Sequence, residues 1–174
     1  NFLTTRHPRG TPLVEELRRL VPRDGPAAPY DLAKLLIFDA ARAQHLHDVI
    51  RPHLQQGGVV VCDRFADSTT AYQGHARGID MQTVELVHQL VVGAHWPQLT
   101  LVLDVDARVA EGRRRARGVH DRFEREHAAF HDRVRAGYLA IARAAPDRVR
   151  VIDADGAVDE VQARIREVVD HAIA

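Results

Sequence analysis

The sequence predicts an α/β protein: a parallel sheet flanked by helices. Two observations carry that prediction. Short apolar runs at Phe2–Thr5, Val59–Cys62, Leu99–Asp104 and Val149–Asp153 have the length and composition of buried parallel strands. Between them the apolar residues recur at the spacing of amphipathic helices. The 174 residues, 45% of them apolar, are enough for a single domain with a real core.

The elements follow in chain order. Phe2–Thr5 opens as a strand. Thr11 is an N-cap and Pro12 occupies the first helical position, so a helix is expected over Pro12–Leu20. Val21–Pro29, rich in Pro and Gly, is a loop. Asp31–Gln55 reads as one long helix, with Leu32, Leu35, Leu36, Ala40, Ala43, Leu46 and Ile50 on its apolar stripe. After the strand Val59–Cys62, Asp67–Gly74 reads as a turn and a half of helix, and Gly74–Asp80 as a loop. Thr83–Val91 is helical. Leu99–Asp104 is the third strand, followed by the arginine run Arg113–Arg117. A long amphipathic helix over Glu124–Ala145, the strand Val149–Asp153 and a helix over Val158–Ala172 complete the chain. No internal repeat, low-complexity tract or linker long enough to divide domains interrupts it.

Composition narrows the function classes. Basic and acidic residues balance at 24 each, which argues against a nucleic-acid polymer or an anionic membrane as the main partner. Lys34 is the sole lysine; the other fixed positive charge is arginine, which reflects either genomic base composition or repeated phosphate recognition by its planar fork. A single cysteine, Cys62, excludes an internal disulfide framework and a zinc ribbon. No run of 18 apolar residues exists, so no membrane span is expected, and the expected compartment is the cytoplasm. His45 with His47 and His127 with His131 are close pairs, but no His-Glu-x-x-His pattern turns them into a metal motif.

Four segments carry candidate chemistry. Val59–Cys62 runs into Asp63-Arg64-Phe65, an acid and an arginine at the carboxyl end of a strand, where open α/β sheets bind ligands. There Asp63 can hold Mg²⁺, directly or through water, and Arg64 can reach a phosphate; the plainer reading is a capping acid paired with its neighbour. Asp67–Gly74 gathers hydroxyls, a phenol and a carboxamide able to read a sugar and a base edge, or simply a polar helix start. Phe38 and Arg42 stand four apart on one helix face, a stacking ring beside a guanidinium, or else a core Phe and a surface Arg. Arg113–Glu126 is either a cationic flap that closes over phosphates or a solvated helix face. Asp104 and Asp106 end the third strand and face the same choice between site and cap.

The order and spacing of these segments resemble the thymidylate kinase family of P-loop nucleoside-monophosphate kinases, bacterial type. Its Thr-Arg-Glu-Pro-Gly-Gly-Thr resembles Thr5-Arg6-His7-Pro8-Arg9-Gly10-Thr11. Its Leu-Leu-Phe-x-Ala-x-Arg-x-x-His resembles Leu36–His45. Its Asp-Arg-Tyr and Asp-Ser-x-x-Ala-Tyr-Gln-Gly resemble Asp63-Arg64-Phe65 and Asp67–Gly74, the most specific match. Its lid motif Arg-x-Arg-Gly-x-x-Asp-Arg-x-Glu resembles Arg115–Glu124, and its closing Val-Ile-Asp-Ala resembles Val151–Ala154.

The resemblance implies a P-loop kinase fold with a five-stranded parallel sheet, and transfer of the γ-phosphoryl of ATP to dTMP with Mg²⁺. It implies that Phe38 stacks on thymine and Arg42 bonds the base. Arg18 and Arg64 hold the acceptor phosphate. Tyr72 guards the sugar and Gln73 reads the base, with Ser68 and Thr69 beside them. Asp63 arranges the metal, and Arg117 and Arg122 are lid arginines in a segment of about 113–126. It implies one domain over 1–174 and a possible homodimer.

Three residues depart from the pattern: His7 and Lys34 stand where the family has Glu, and Arg9 where it has Gly. The family's Gly-x-x-x-x-Gly-Lys-Ser/Thr loop has no counterpart among the 174 residues. The resemblance places that loop, with the central first strand, upstream of Asn1, in roughly 20–30 further residues. These residues alone are therefore expected to be inactive. The alternative expectation is a paralogue that binds nucleotide, or another partner, without catalysis.

Overall fold

The computed structural model describes residues 1–21, 29–106, 109, 110, 112 and 128–173. The chain forms two compact units, Asn1–Trp96 and Pro97–Ala174.

The first unit runs β1 (Phe2–Arg6), α1 (Pro12–Leu20), α2 (Asp31–His45), α3 (Arg51–Gln55), β2 (Val59–Asp63), α4 (Ala66–Thr69) and α5 (Met81–Val91). β1 and β2 are parallel, with Phe2 opposite Val59 and Arg6 opposite Asp63. As expected, α1 begins at Pro12: the Thr11 hydroxyl accepts from the Val14 amide at 3.4 Å. The single helix expected over Asp31–Gln55 is instead three pieces. A π-helical turn, Leu46–Ile50, separates α2 from α3, whose Pro52 has no amide hydrogen to continue the regular ladder. A second π-helical stretch, Thr70–Ala76, follows α4, so the expected loop at Gly74–Asp80 starts later than the glycine suggested. There the Arg77 amide donates to the Tyr72 carbonyl at 3.1 Å.

The strands were expected to be buried, but one face of the β1–β2 pair is open. Phe2, Val59 and Val61 are at least half exposed, while Val60 and Cys62 pack on Leu46, Ile50, Phe65, Ala66 and Val92. Successive strand residues point to opposite faces, so one apolar cluster buries only alternate side chains.

The second unit carries β3 (Thr100–Asp104), α6 (Ala128–Ala144), β4 (Val149–Asp153) and α7 (Val158–Ile173). β3 and β4 are parallel, with Thr100 opposite Val149, and Val102, Ala142 and Val149 form their core. Of the helix expected over Glu124–Ala145, the residues before Ala128 lie outside the described ones. Arg164 anchors α7 to the end of β4, its Nη1 donating to the carbonyls of Asp153 and Asp155 at 2.8 Å each.

Two predictions follow from this packing. Gly156 has φ +114°, and a Cβ there would lie 2.4 Å from Glu160 Oε2, the atom that accepts from the Ala157 amide at the start of α7. Gly156→Ala is expected to destabilise the protein by more than about 1 kcal/mol. An unchanged denaturant midpoint would show that the turn relaxes without loss.

The second concerns three buried histidines. His45 Nε2 is 2.8 Å from Thr5 Oγ1, and His88 Nε2 is 3.0 Å from Thr70 Oγ1. Burial, then the nearby charge of Arg42, lowers the pKa of His7 to about 2, of His88 to about 4, and of His45 below its usual value. The unfolded chain takes up protons near pH 6.5 that the folded chain refuses. The stability is therefore present above that pH and lost as pH falls toward the folded values. Each histidine is expected to remove about 1.4 kcal/mol per pH unit below 6.5 while it stays neutral in the fold. Urea melts at pH 7.5, 6 and 5 read this slope; a flat line would show that these rings charge without unfolding.

Candidate functional site

The candidate site is built at the carboxyl ends of β1 and β2. Their last residues face each other in register, and Arg6 Nε lies 3.2 Å from Asp63 Oδ2 with both side chains more than half exposed. The next residue, Arg64, has φ +65°, the left-handed region. A side chain held there costs of order 1–3 kcal/mol, so the surrounding structure must impose it. The twist brings Arg64 to the π-helical stretch: its guanidinium carbon sits 5.0 Å from the Tyr72 ring centroid, and Nη2 donates to the Tyr72 hydroxyl at 3.3 Å. An exposed cation is thus presented beside a phenol at the end of a strand. Cys62 donates its thiol to the Arg64 carbonyl at 3.1 Å, and burial first of all pushes its pKa up to about 11, so it is a packing residue rather than a nucleophile.

Behind this edge lies a buried ionic cluster. Arg42 is 1% exposed and Asp39 2%, and Arg42 Nη1 donates to Asp39 Oδ1 one helical turn away. Nη2 donates to Thr69 Oγ1 at 2.6 Å and reaches the Phe65 carbonyl at 3.5 Å, and the guanidinium lies 5.6 Å from the Phe65 ring centroid. Burial raises the Asp39 pKa and lowers that of Arg42, and their mutual attraction opposes both shifts. Arg42 Nε, Asp39 Oδ2 and His88 Nδ1 are buried without a hydrogen-bond partner. The surface-arginine reading of Arg42 is therefore replaced by a buried one. Direct contact with a base requires the ligand to open its cover.

His7 ends up neutral and inward. It is 4% exposed, its amide donates to the Asp63 carbonyl at 3.0 Å, and its Nε2 donates to the Phe38 carbonyl at 3.2 Å. It lies against His45 with ring centroids 6.1 Å apart. The residue that replaces the family's acid thus adds no charge to the site; it braces α2 at Phe38, whose side chain is half-buried. Lys34 pairs with Asp31 at 2.9 Å. Arg18 is half-buried on α1, 3.8 Å from Glu15.

Of the other residues singled out by sequence, Thr69 and Gln73 are buried and Ser68 is half-buried, all on α4 or the stretch after it. Asp104 forms a two-pronged pair with Arg135 of α6 at 2.5 and 2.7 Å, which pulls its pKa down; this favours a structural role. The lid segment 113–126, with Arg117 and Arg122, lies outside the described residues. Among the described residues no group of three or more His, Cys, Asp or Glu is arranged to hold a metal, and no helix is long and apolar enough to cross a membrane. Asp63 still fits Mg²⁺, an ion that commonly takes one or two carboxylates and fills its shell with water and substrate phosphates.

Sequence reading missed Asp39 and His88. Asp39 was legible as an acid three residues before Arg42, the spacing of a helical ion pair. His88 carried no local signal, because its partners come from other elements.

Comparison with known proteins agrees with this geometry. The sequence model of the thymidylate kinase family matches residues 1–165. The thymidylate kinase of Syntrophotalea carbinolica is 45% identical over 171 residues, covering 94% of this chain and 78% of the relative. That of Thermosynechococcus vestitus is 46% identical over 166 residues, covering 95% of this chain and 68% of the relative. The crystal structure of thymidylate kinase from Ehrlichia chaffeensis superposes with a TM-score of 0.74 at 32% identity, covering 97% of this chain and 80% of that one. With a match that spans nearly all of its length, this chain belongs to the thymidylate kinase family.

Proposed function

We propose that this protein transfers the γ-phosphoryl group of ATP to dTMP, giving dTDP. The observation that carries this reading is family membership over nearly the whole chain, and the geometry around Arg64 fits it. Phosphoryl transfer asks a protein mainly for positioning and charge. Arg64, with Arg18, binds the acceptor phosphate, and the contact of Arg64 with Tyr72 supports a reading in which phosphate and sugar are neighbours. Phe38 stacks on thymine, while Arg42 and Gln73 hold its polar edge. Asp63 holds Mg²⁺, with Arg6 as its resting counter-charge. Held there, Mg²⁺ would supply positive charge against the phosphates. Ser68 and Thr69 support the pocket, and Arg117 and Arg122 bring charge from a lid over 113–126.

The 174 residues act as part of one kinase domain. The protein works in the cytoplasm and not on nucleic-acid polymers or membranes. It pairs as a homodimer, which the exposed Leu86 and Leu90 of α5 support. The departures at His7 and Lys34 do not favour a non-catalytic paralogue: His7 is a neutral brace and Lys34 has a local carboxylate.

The test is ADP release by the full-length protein with ATP, Mg²⁺ and dTMP. Turnover that depends on dTMP is expected; a folded full-length protein without it would sink the proposal. Arg64 gives a sharper check. Arg64→Ala and Arg64→Gly are both expected to lose about 100-fold or more in kcat/KM for dTMP, as removal of a charged phosphate contact does. The glycine variant is expected to be more stable than the alanine variant by about 1 kcal/mol, because only alanine keeps the left-handed strain. Equal melting points would show that the strain is absorbed elsewhere.

A further inference from the structure

Asp39 occupies a variable position of the helix motif, Leu36–His45, and no role attaches to it there. Its placement is nevertheless specific. A carboxylate 2% exposed, inside α2, meets the Arg42 guanidinium from one side, and the Thr69 hydroxyl meets it at 2.6 Å from the other. These two contacts come from different elements, α2 and the end of α4, so together they fix both where the guanidinium sits and how its plane is turned. The Phe65 ring lies against the guanidinium at 5.6 Å. With Nη1 and Nη2 engaged, Nε is the guanidinium nitrogen left without a partner.

We propose that Asp39 is a positioning residue that sets the pyrimidine specificity of the acceptor site by clamping Arg42 against Thr69. This inference rests on the proposed dTMP kinase reading and deepens it. A guanidinium donates hydrogen bonds and accepts none. Held rigidly, it favours a base edge that offers a carbonyl oxygen, as thymine does, over one that offers an amino group, as cytosine does. Released from Asp39, the same guanidinium can turn away, and the preference weakens. A buried arginine without its carboxylate is also a lone charge in a low-dielectric place, so the clamp and the fold share this interaction.

The experiment measures steady-state kinetics of the full-length protein and its Asp39→Asn variant with dTMP, dCMP and ATP, alongside thermal melts. For Asp39→Asn the KM for dTMP is expected to rise at least about tenfold, the factor of one charged hydrogen bond. The KM for ATP is expected to stay within about twofold, since the lost interaction touches only the acceptor side. Discrimination between dTMP and dCMP is expected to fall with it. Unchanged KM for dTMP and unchanged discrimination, or a parallel rise in both KM values, overturns the proposal, because a purely structural role loosens both sites alike. If Asp39→Asn does not fold, the neutral pair Asp39→Asn with Arg42→Gln is compared with Arg42→Gln alone. Equal KM values for dTMP support action through Arg42; a further rise in the double variant overturns it. A wild-type protein inactive on dTMP overturns the function reading itself, whereas an active wild type with an indifferent Asp39→Asn overturns only this inference.

Discussion

The first unit is organised around one buried cation. Arg42 extends from α2, and among the described residues its hydrogen-bond acceptors belong to α2 or to the segment just after β2. A charge with 1% exposure needs partners that offset its burial, and Nη1 and Nη2 find them in Asp39, Thr69 and the Phe65 carbonyl. That requirement ties the helix to the strand end: α2 can sit only where Asp39, Thr69 and the Phe65 carbonyl converge. The three buried histidines lie around the same charge and stay neutral partly because of it. His7 carries the constraint to β1 through the Phe38 carbonyl, and His88 carries it to α5 through Thr70.

This arrangement separates two tasks. The exposed edge, Arg6, Asp63 and Arg64, offers charge to solvent, where the proposed function puts a phosphate. The buried cluster offers direction. Charge near water is screened and easily moved, while a guanidinium fixed from two sides in a dry cluster has little freedom left. A kinase acceptor site needs both kinds, since the phosphate must arrive quickly and the base must be held in one orientation. The His7 substitution fits this division. A carboxylate at that position would add a negative charge to the buried side; the neutral ring there braces without adding any.

Much of this was legible in the sequence, and the boundary has a physical cause. The strands and α1 were readable because apolar runs, Pro12 and the Thr11 cap act over a few residues. Asp63 and Arg64 were readable as a strand end for the same reason. The π-helical turns were not, because an extra residue in a helical turn leaves the apolar stripe nearly intact while shifting its phase. The burial of Arg42 was not legible because an arginine's burial depends on partners at distant positions, here Thr69, 27 residues away. The neutrality of His7 was hidden likewise: it follows from burial and from the charge of Arg42 on another element, against the opposing pull of the Phe38 carbonyl.

The left-handed backbone at Arg64 shows how these levels combine. Nothing in Cys62-Asp63-Arg64-Phe65 favours positive φ, and arginine pays a steric penalty there that glycine avoids. Continuing β2 in extended form would carry Phe65 past the apolar cluster it now fills with Leu46, Ile50, Ala66 and Val92. It would also remove the Phe65 carbonyl and Thr69 from the neighbourhood of Arg42. The sharp turn at Arg64 therefore satisfies two distant demands, burial of one ring and neutralisation of one guanidinium. Its by-product is an arginine turned out of the strand and laid along Tyr72. The turn that lays Arg64 along Tyr72 is thus tied to the same buried charge that holds α2 to the end of β2.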